Sequence, residues 1–221
     1  MRFFHTGREI LREFDKIEIE YLRTMSVDLE GWIDGRVKGL DREFEEYTKG
    51  MSADDPDLWD VVFSERFHEI DKVQRRTIRT SLLISTFAFF EHRIKKMAES
   101  LERAGDVQVT FAGSKGKAFG KVDTYLKEIF SGSCIFQSKE WQGLQDFRQL
   151  RNSITHDGEI VSKEAVEAAR KLNVAGDEPF KFDSFDQVDL TPGANLLLID
   201  TIKSLNCSFW DEAISRYGNK C

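Results

Sequence analysis

The sequence predicts an all-α protein, a helical bundle in which at most one small β hairpin interrupts the helices. Apolar residues recur at spacings of three and four along most of the 221 residues, which is the period of amphipathic helices. Only 3 residues are proline and 32% are charged, a composition that favours long helices over short strands and turns. The 40% apolar content argues against disorder as the main state.

The N-terminal stretch predicts one long amphipathic helix that ends near Gly50. Its apolar positions are Ile10, Phe14, Ile17, Tyr21, Met25, Leu29, Trp32, Ile33, Val37, Leu40, Phe44 and Tyr47. Gly31, Gly35 and Gly39 weaken this helix by about 1 kcal/mol each relative to alanine, and we expect them to bend it.

A second helical pattern begins at Asp55-Pro56, an N-cap followed by proline in the first helical position. It continues to about Gly105, which is far longer than the average helix of about 10–14 residues. We therefore expect a break between Phe63 and Thr80.

The rest of the chain predicts shorter elements. They are a helix through Val122 to Ile129, a helix capped by Ser138 that runs to about His156, a helix capped by Ser162, a hairpin of 180–182 and 187–190, and a last helix opened by Thr191-Pro192. We divide the chain into an N-terminal helical extension, residues 1–70, and a helical domain, residues 71–221.

Charge is distributed unevenly along the chain, whose net charge is −7. Residues 1–71 carry 10 basic and 19 acidic side chains, residues 72–156 carry 15 and 8, and residues 157–221 carry 7 and 12. The total excludes a generally electropositive nucleic-acid binder, but the basic middle section leaves a local basic surface open. The other interpretation is that oppositely charged surfaces pack against one another.

The sequence predicts a cytoplasmic protein without a membrane span, a disulfide framework or a metal site. Cys134, Cys207 and Cys221 form no metal-type cluster, and the charged start of the chain is unlike a signal peptide. The most apolar run, residues 81–90, is half of the about 20 residues that a bilayer requires.

The segment Arg151-Asn152-Ser153-Ile154-Thr155-His156 stands at the end of a predicted helix within the basic section. At 100° and 1.5 Å per residue, Arg151 and His156 lie about 140° apart around a helix and about 7.5 Å along it. One copy of the helix therefore positions them poorly for a shared phosphate. A helix end at His156, or a second subunit across a two-fold axis, would solve this problem.

These residues resemble the Arg-x4–6-His motif of the HEPN superfamily, in which a polar residue often follows the arginine. The preceding helix, residues 80–102, is similar to a HEPN core helix, since a pair of aromatic residues is followed by the acidic Glu91. The order of a short helix, a hairpin and a Thr-Pro that opens the last helix is similar too. The resemblance covers about residues 75–215.

The resemblance implies a homodimeric endoribonuclease that needs no metal and no cofactor. In such enzymes the RNA 2′-hydroxyl attacks the adjacent phosphate and leaves a 2′,3′-cyclic phosphate. His156 would act as general base or acid, and Arg151 would hold the phosphate. Asn152 would orient one of these groups, and Glu91 would pair with Arg151 or His156, unless it is a structural partner.

The resemblance also implies an RNA partner and a toxin–antitoxin or phage-defence setting, with a cognate antitoxin as a further partner. Basic residues that could follow the RNA backbone are Arg148, Arg75, Arg76, Arg79, Arg93, Lys95 and Lys96, although each is also compatible with a solvated helix face. The Gly- and Lys-rich loop at 113–121 fails as a phosphate-binding Walker A loop, because Phe111 and Ala118 occupy two of its required positions.

Two other functions remain open. A His-Asp metal phosphohydrolase would use His156-Asp157 with His92 and either Asp186 or Asp189. A non-catalytic nucleic-acid-binding or protein-interaction module would use the aromatic residues and the long N-terminal helix for partner contacts.

Overall fold

The computed structural model describes residues 7–49, 63–116, 119–157, 162–173, 178–182 and 188–217. Over these ranges the α-helices are α1 (Gly7–Thr48), α2 (Arg75–Arg103), α3 (Phe119–Ile129), α4 (Lys139–Asp157), α5 (Lys163–Leu172) and α6 (Pro192–Tyr217). Strands β1 (Phe180–Phe182) and β2 (Val188–Leu190) form an antiparallel hairpin in which Lys181 is level with Asp189. The predicted all-α fold with a small hairpin is confirmed.

The expected break between Phe63 and Thr80 is instead a change of helix type. Residues 63–67 are α-helical, His68–Gln74 form a π-helix, and α2 follows directly. The chain thus accommodates the long helical pattern by widening its hydrogen-bond ring over seven residues, a form that is rare and short in proteins. The Asp55-Pro56 start lies outside the described residues.

Helix α1 turns an apolar stripe to solvent, although an amphipathic helix ordinarily turns its apolar face to the core. Its buried residues are Asp15, Ile19, Ser26, Ile33 and Leu40. On the opposite side lies what we call the outer stripe, whose side chains are 40–69% exposed: Ile10, Phe14, Ile17, Tyr21, Met25 and Trp32. The sequence periodicity therefore identified the helix but combined two different apolar faces.

Two apolar clusters hold the helices together. The main core contains residues of helices α2, α3, α4, α5 and α6, of the hairpin and of the first half of α1. Its fully buried aromatic side chains include Phe90, Phe147 and Trp210. The second cluster, Ile33, Leu40, Phe63 and Ile70, joins the second half of α1 to the residues that lead into α2. The predicted domain boundary at residue 70 falls within this second cluster and stays a prediction.

Buried ionic contacts fasten α1 to the main core. The Asp15 carboxylate, 2% exposed, accepts hydrogen bonds from Trp210 Nε1 (2.7 Å) and Asn206 Nδ2 (3.1 Å), and it also pairs with Arg93. Just after the centre of α1, Glu30 accepts two hydrogen bonds from Arg79, from Nε at 2.6 Å and from Nη2 at 2.8 Å. None of the helices in these ranges is long and apolar enough to cross a bilayer.

Candidate functional site

Helix α4 carries the Arg151–His156 motif, and its position follows from its cap and its apolar face. Ser138 Oγ accepts a hydrogen bond from the Trp141 amide at 3.1 Å, as the sequence predicted for an N-cap. The side chains that α4 buries in the main core are Trp141, Leu144, Phe147 and Leu150. Since these fill the inner face, Arg148, Arg151 and Asn152 remain half-buried along its flank.

Glu91 of α2 faces this flank. Arg151 and Arg148 are both close enough to act electrostatically on its carboxylate. Arg151 Nη1 donates to Asn152 Oδ1 at 3.0 Å, so the asparagine holds the guanidinium from the side. We refer to Glu91, Gln145, Arg148, Arg151 and Asn152 as the α4 cluster, in which Gln145 accepts a hydrogen bond from Arg148. The structure thus brings together three of the four predicted catalytic residues.

The α4 cluster leaves several buried polar atoms without a partner among the described residues. They are Glu91 Oε1, Arg151 Nε and Gln145 Nε2. Burial raises the pKa of the Glu91 carboxyl above its usual range, while Arg151 and Arg148 act in the opposite direction. Unpaired buried polar groups are costly, so a concentration of them is a reason to look for a bound molecule at that place.

Arg148 links the cluster to α3. Its guanidinium lies 5.2 Å from the centre of the Phe119 ring, and its Nη1 donates to Gln145 Oε1 at 3.3 Å. A Cβ added at Gly120 would meet Arg148 Nη2 at 3.8 Å, which is ordinary contact. Arg148 is therefore held by stacking as well as charge, an arrangement that suits arginine better than lysine.

His156 does not join the α4 cluster within one copy of the chain. Helix α4 ends at Asp157, one residue after the predicted end, so His156 is still helical and its separation of about 140° and about 7.5 Å from Arg151 holds. The His156 side chain is exposed in the last turn, whereas Arg151 is half-buried. Arg151 and His156 therefore face different surroundings.

Three of the predicted RNA-binding arginines are paired with carboxylates of α1. Arg79 is 7% exposed and bonded to Glu30, and Arg75 contacts Glu30 at 3.1 Å and Asp34 at 2.9 Å. Arg93 pairs with Asp15 and Glu18. These charges fasten α1 to α2, a role that the sequence pattern did not reveal because their partners lie about 40 to 80 residues away.

Arg75 and Arg79 are also remote from the α4 cluster. They precede Glu91 on α2 by 12 to 16 residues, which is about 18–24 Å along the helix. Arg93 follows Glu91 by two residues, about 200° around α2, and so lies on its other side. Among the described residues of the predicted RNA-binding set, Arg148 is the one that belongs to the α4 cluster.

The remaining predicted basic residues lie on open surfaces. Lys95 and Lys96 are exposed, and Lys96 pairs with Glu99 at 3.6 Å. Arg76 lines an open cavity of about 600 Å³ beside the hairpin, together with His68, Lys72 and Lys181. That cavity is basic but also contains carboxylates, so it is a separate surface feature and not a continuation of the α4 cluster.

No group of three or more His, Cys, Asp or Glu side chains is placed to hold a metal ion in the described part of the chain. Of the residues considered for a His-Asp site, His92 is exposed on α2 and Asp189 is exposed on β2. Asp186 and the Asp157 side chain lie outside what the structure describes.

Gln145 is the one cluster residue that sequence reasoning missed. It precedes Arg148 by three residues and shares its helix face, a spacing that could have identified it.

The fold and this site define an all-α protein with an arginine–carboxylate–asparagine cluster on the flank of one helix. No family model, curated protein or solved structure matches the chain. The HEPN resemblance therefore rests on the motif and its position.

Proposed function

We propose that the protein is a cytoplasmic endoribonuclease of HEPN type, which cleaves RNA without metal through Arg151 and His156 at a homodimer interface. The observation that carries the proposal is the α4 cluster, where Glu91, Arg151 and Gln145 leave buried polar atoms unpaired beside the motif arginine. A toxin or phage-defence role, with a cognate antitoxin, belongs to the same proposal and is supported by the resemblance alone.

The proposed reaction is a transesterification that assigns one task to each residue. Histidine changes charge near neutral pH, so His156 takes the proton from the RNA 2′-hydroxyl or returns a proton to the departing 5′-oxygen. The 2′-oxygen forms a bond to phosphorus as the bond to the 5′-oxygen breaks, which leaves a 2′,3′-cyclic phosphate and a 5′-hydroxyl. Arg151 offsets the charge that grows on the phosphate oxygens.

Glu91 and Asn152 support this role of Arg151. The hydrogen bond from Arg151 to Asn152 restricts the direction of the guanidinium, and the Glu91 carboxylate of α2 is close enough to interact with it electrostatically. A bound phosphate would give Arg151 an anionic partner in addition to the half-buried Glu91.

A second copy of the chain is needed because Arg151 and His156 diverge on one helix. If two α4 helices face each other, the His156 of one copy can approach the phosphate held by the Arg151 of the other. The active site would then contain side chains from both copies.

The first experiment measures cleavage of a labelled RNA in EDTA by wild type, Arg151→Ala and His156→Ala. We expect kcat to fall about 100- to 1,000-fold in each variant, the size of effect that loss of an oxyanion donor or of a general base produces. Lys127→Ala is the control, since Lys127 is half exposed on α3 and pairs with Asp123. Wild-type rates in both motif variants would overturn the catalytic assignment.

The second experiment mixes Arg151→Ala with His156→Ala. A mixed dimer retains one site with an intact Arg151 and an intact His156 only if each site takes them from different copies. Recovery of activity upon mixing supports the shared site, and two inactive variants that stay inactive contradict it.

A non-catalytic protein-interaction module is the second candidate, because the outer stripe of α1 is exposed in the manner of an interaction surface. Absence of RNA cleavage by the wild type would favour it. Cleavage that is abolished by EDTA and by His92→Ala would instead favour the His-Asp metal phosphohydrolase.

A further inference from the structure

We infer that the outer stripe of α1 is the interface at which a second copy of this chain packs, with the two α1 helices antiparallel. The stripe is unusual because large apolar side chains occupy the solvent face of a helix whose inner face buries Asp15 and Ser26. At 100° per residue its six members fall within about 80° of one another, over about 33 Å of helix. Asp28 lies on the same face, so the stripe is a mainly apolar surface, of a size that monomeric proteins rarely expose.

The area of the stripe matches what a stable dimer needs. Three of its members are aromatic, and Tyr21 alone is 69% exposed. With aromatic side chains covering about 150–250 Å² each, the six residues offer on the order of 600–700 Å² per copy, close to the about 800 Å² that one partner buries in a standard interface. A groove of about 710 Å³ beside Tyr21, Met25 and Trp32 gives this surface a recess for a partner side chain.

Size complementarity favours an antiparallel pair centred between Thr24 and Met25. In that register, Phe14 of one helix lies opposite Gly35 of the other, and Ile10 lies opposite Gly39. A Cβ added at either glycine would meet nothing within 4 Å in this chain, so the fold of one copy does not require glycine there. Each glycine costs the helix about 1 kcal/mol relative to alanine. In the dimer, the absence of a Cβ at these positions leaves room for the large side chain of the opposing helix.

Charge complementarity favours the same register. Glu13, which pairs with Lys16 of its own copy at 2.6 Å, also lies beside Lys38 of the other copy, on the same edge of the paired stripes. Asp28, which lies on the stripe, is level with Tyr21 of the second copy, whose hydroxyl can donate to the carboxylate.

This interface is distinct from the α4 cluster. Arg93, which pairs with Asp15 of α1, and Glu91, which faces α4, lie about 200° apart on α2. A dimer through α1 therefore leaves both α4 clusters accessible, and the inference does not rest on the proposed function.

Sedimentation of the full chain over about 1–100 µM tests the inference. We expect Phe14→Glu and Tyr21→Glu each to halve the mass found for the wild type and to raise the dissociation constant about 100-fold, the effect of losing an aromatic interface anchor. Val27→Glu is the matched control, because Val27 is 54% exposed on the same helix but off the stripe. A wild-type mass of 25.5 kDa, or a mass that neither stripe variant changes, overturns the inference.

Two further variants test the direction of the pair. Glu13→Lys and Lys38→Glu should each weaken the dimer about threefold, as expected of a rim ion pair, and the double variant should restore it. In a background without the native cysteines, Met25→Cys should cross-link to its own copy through a short bis-maleimide, whereas Phe14→Cys should not. Cross-linking of both positions, or of neither, contradicts the antiparallel register.

Discussion

Helix α2 takes part in carboxylate–arginine contacts on two of its faces, one with Asp15 of α1 and one through its own Glu91. These two carboxylates differ in how completely their oxygens are hydrogen-bonded. On the face toward α1, both oxygens of Asp15 accept hydrogen bonds, from Arg93, Asn206 and Trp210. On the face toward α4, Glu91 Oε1 is buried without a partner among the described residues, although Arg148 and Arg151 are near.

The difference concerns the two carboxylates alone, since Arg93 Nε and Asn206 Oδ1 beside Asp15 are also buried without a partner among the described residues. A buried carboxylate whose oxygens are all bonded holds two helices together, and removing the charge of Asp15 leaves Arg93 with the more exposed Glu18. A carboxylate that is desolvated but incompletely bonded contributes little to stability. Its presence is therefore better explained by a role in binding or catalysis. The same amide substitution at the two positions tests the distinction.

The largest effect is expected for Asp15→Asn. The asparagine carries no charge to pair with Arg93. Its NH₂ group would also point at another donor, either the Arg93 guanidinium or the N–H groups of Asn206 and Trp210. We expect a loss of about 3–5 kcal/mol in the free energy of unfolding, measured by denaturant titration. Asp211→Asn is the control, since Asp211 is 59% exposed and pairs with Arg12 at the surface.

A loss below about 1 kcal/mol for Asp15→Asn would contradict the structural role of this carboxylate. It would also remove the contrast with Glu91.

The next largest effect is expected for Glu30→Gln, because Glu30 of α1 binds Arg79 on the same face of α2 as Arg93. Glu30 accepts both bonds of the Arg79 fork, and Arg79 Nη1 also donates to the Leu190 carbonyl at 2.6 Å. We expect a loss of about 2–3 kcal/mol, because charge-assisted bidentate bonds exceed neutral ones. Asp34→Asn, which removes the more exposed partner of Arg75, should change stability by less than about 0.5 kcal/mol.

If Asp34→Asn costs as much as Glu30→Gln, burial does not distinguish these two pairs. The measurement is the denaturation midpoint together with the m-value, so that a change in unfolded-state compactness is recognised.

The two faces of α2 also show what the sequence could and could not predict. Capping serines and apolar spacing predicted α4, α5 and the hairpin, because those signals are local. The outward direction of Phe14 and the burial of Asp15 could not be predicted, since they depend on Arg93 and Trp210, which are distant in the sequence. For the same reason Arg79 and Arg93 resembled a basic surface, and only their partners in α1 show otherwise.

The α4 cluster was more predictable because most of it is contained in one short segment. Arg148, Arg151 and Asn152 share a helix flank by spacing alone, and Glu91 stood out after its pair of aromatic residues. The relation of Arg151 to His156 followed from helix geometry, once α4 was found to continue to Asp157.

A much smaller effect is expected for Glu91→Gln. The variant removes a carboxylate whose pKa is raised by burial, so the cost of desolvating a charge disappears while the side-chain volume is kept. We expect stability at pH 7 within about 1 kcal/mol of the wild type, with the variant equal or more stable. A loss as large as that of Asp15→Asn would make Glu91 a structural partner of Arg151, which was the alternative role for this residue.

The smallest expected effect is a pH dependence that belongs to Glu91. Burial raises the pKa of this carboxyl on folding, so between its ordinary value of 4.5 and the raised value the folded chain binds more protons than the unfolded chain. Stability of the wild type relative to Glu91→Gln should therefore fall as the pH rises through that window and should be constant above it. The measurement is the difference in free energy of unfolding between the two proteins from about pH 4 to pH 8. A difference that rises with pH would mean that Arg151 and Arg148 outweigh burial, and the α4 cluster would then stabilise the fold in the same way as the Asp15 contacts.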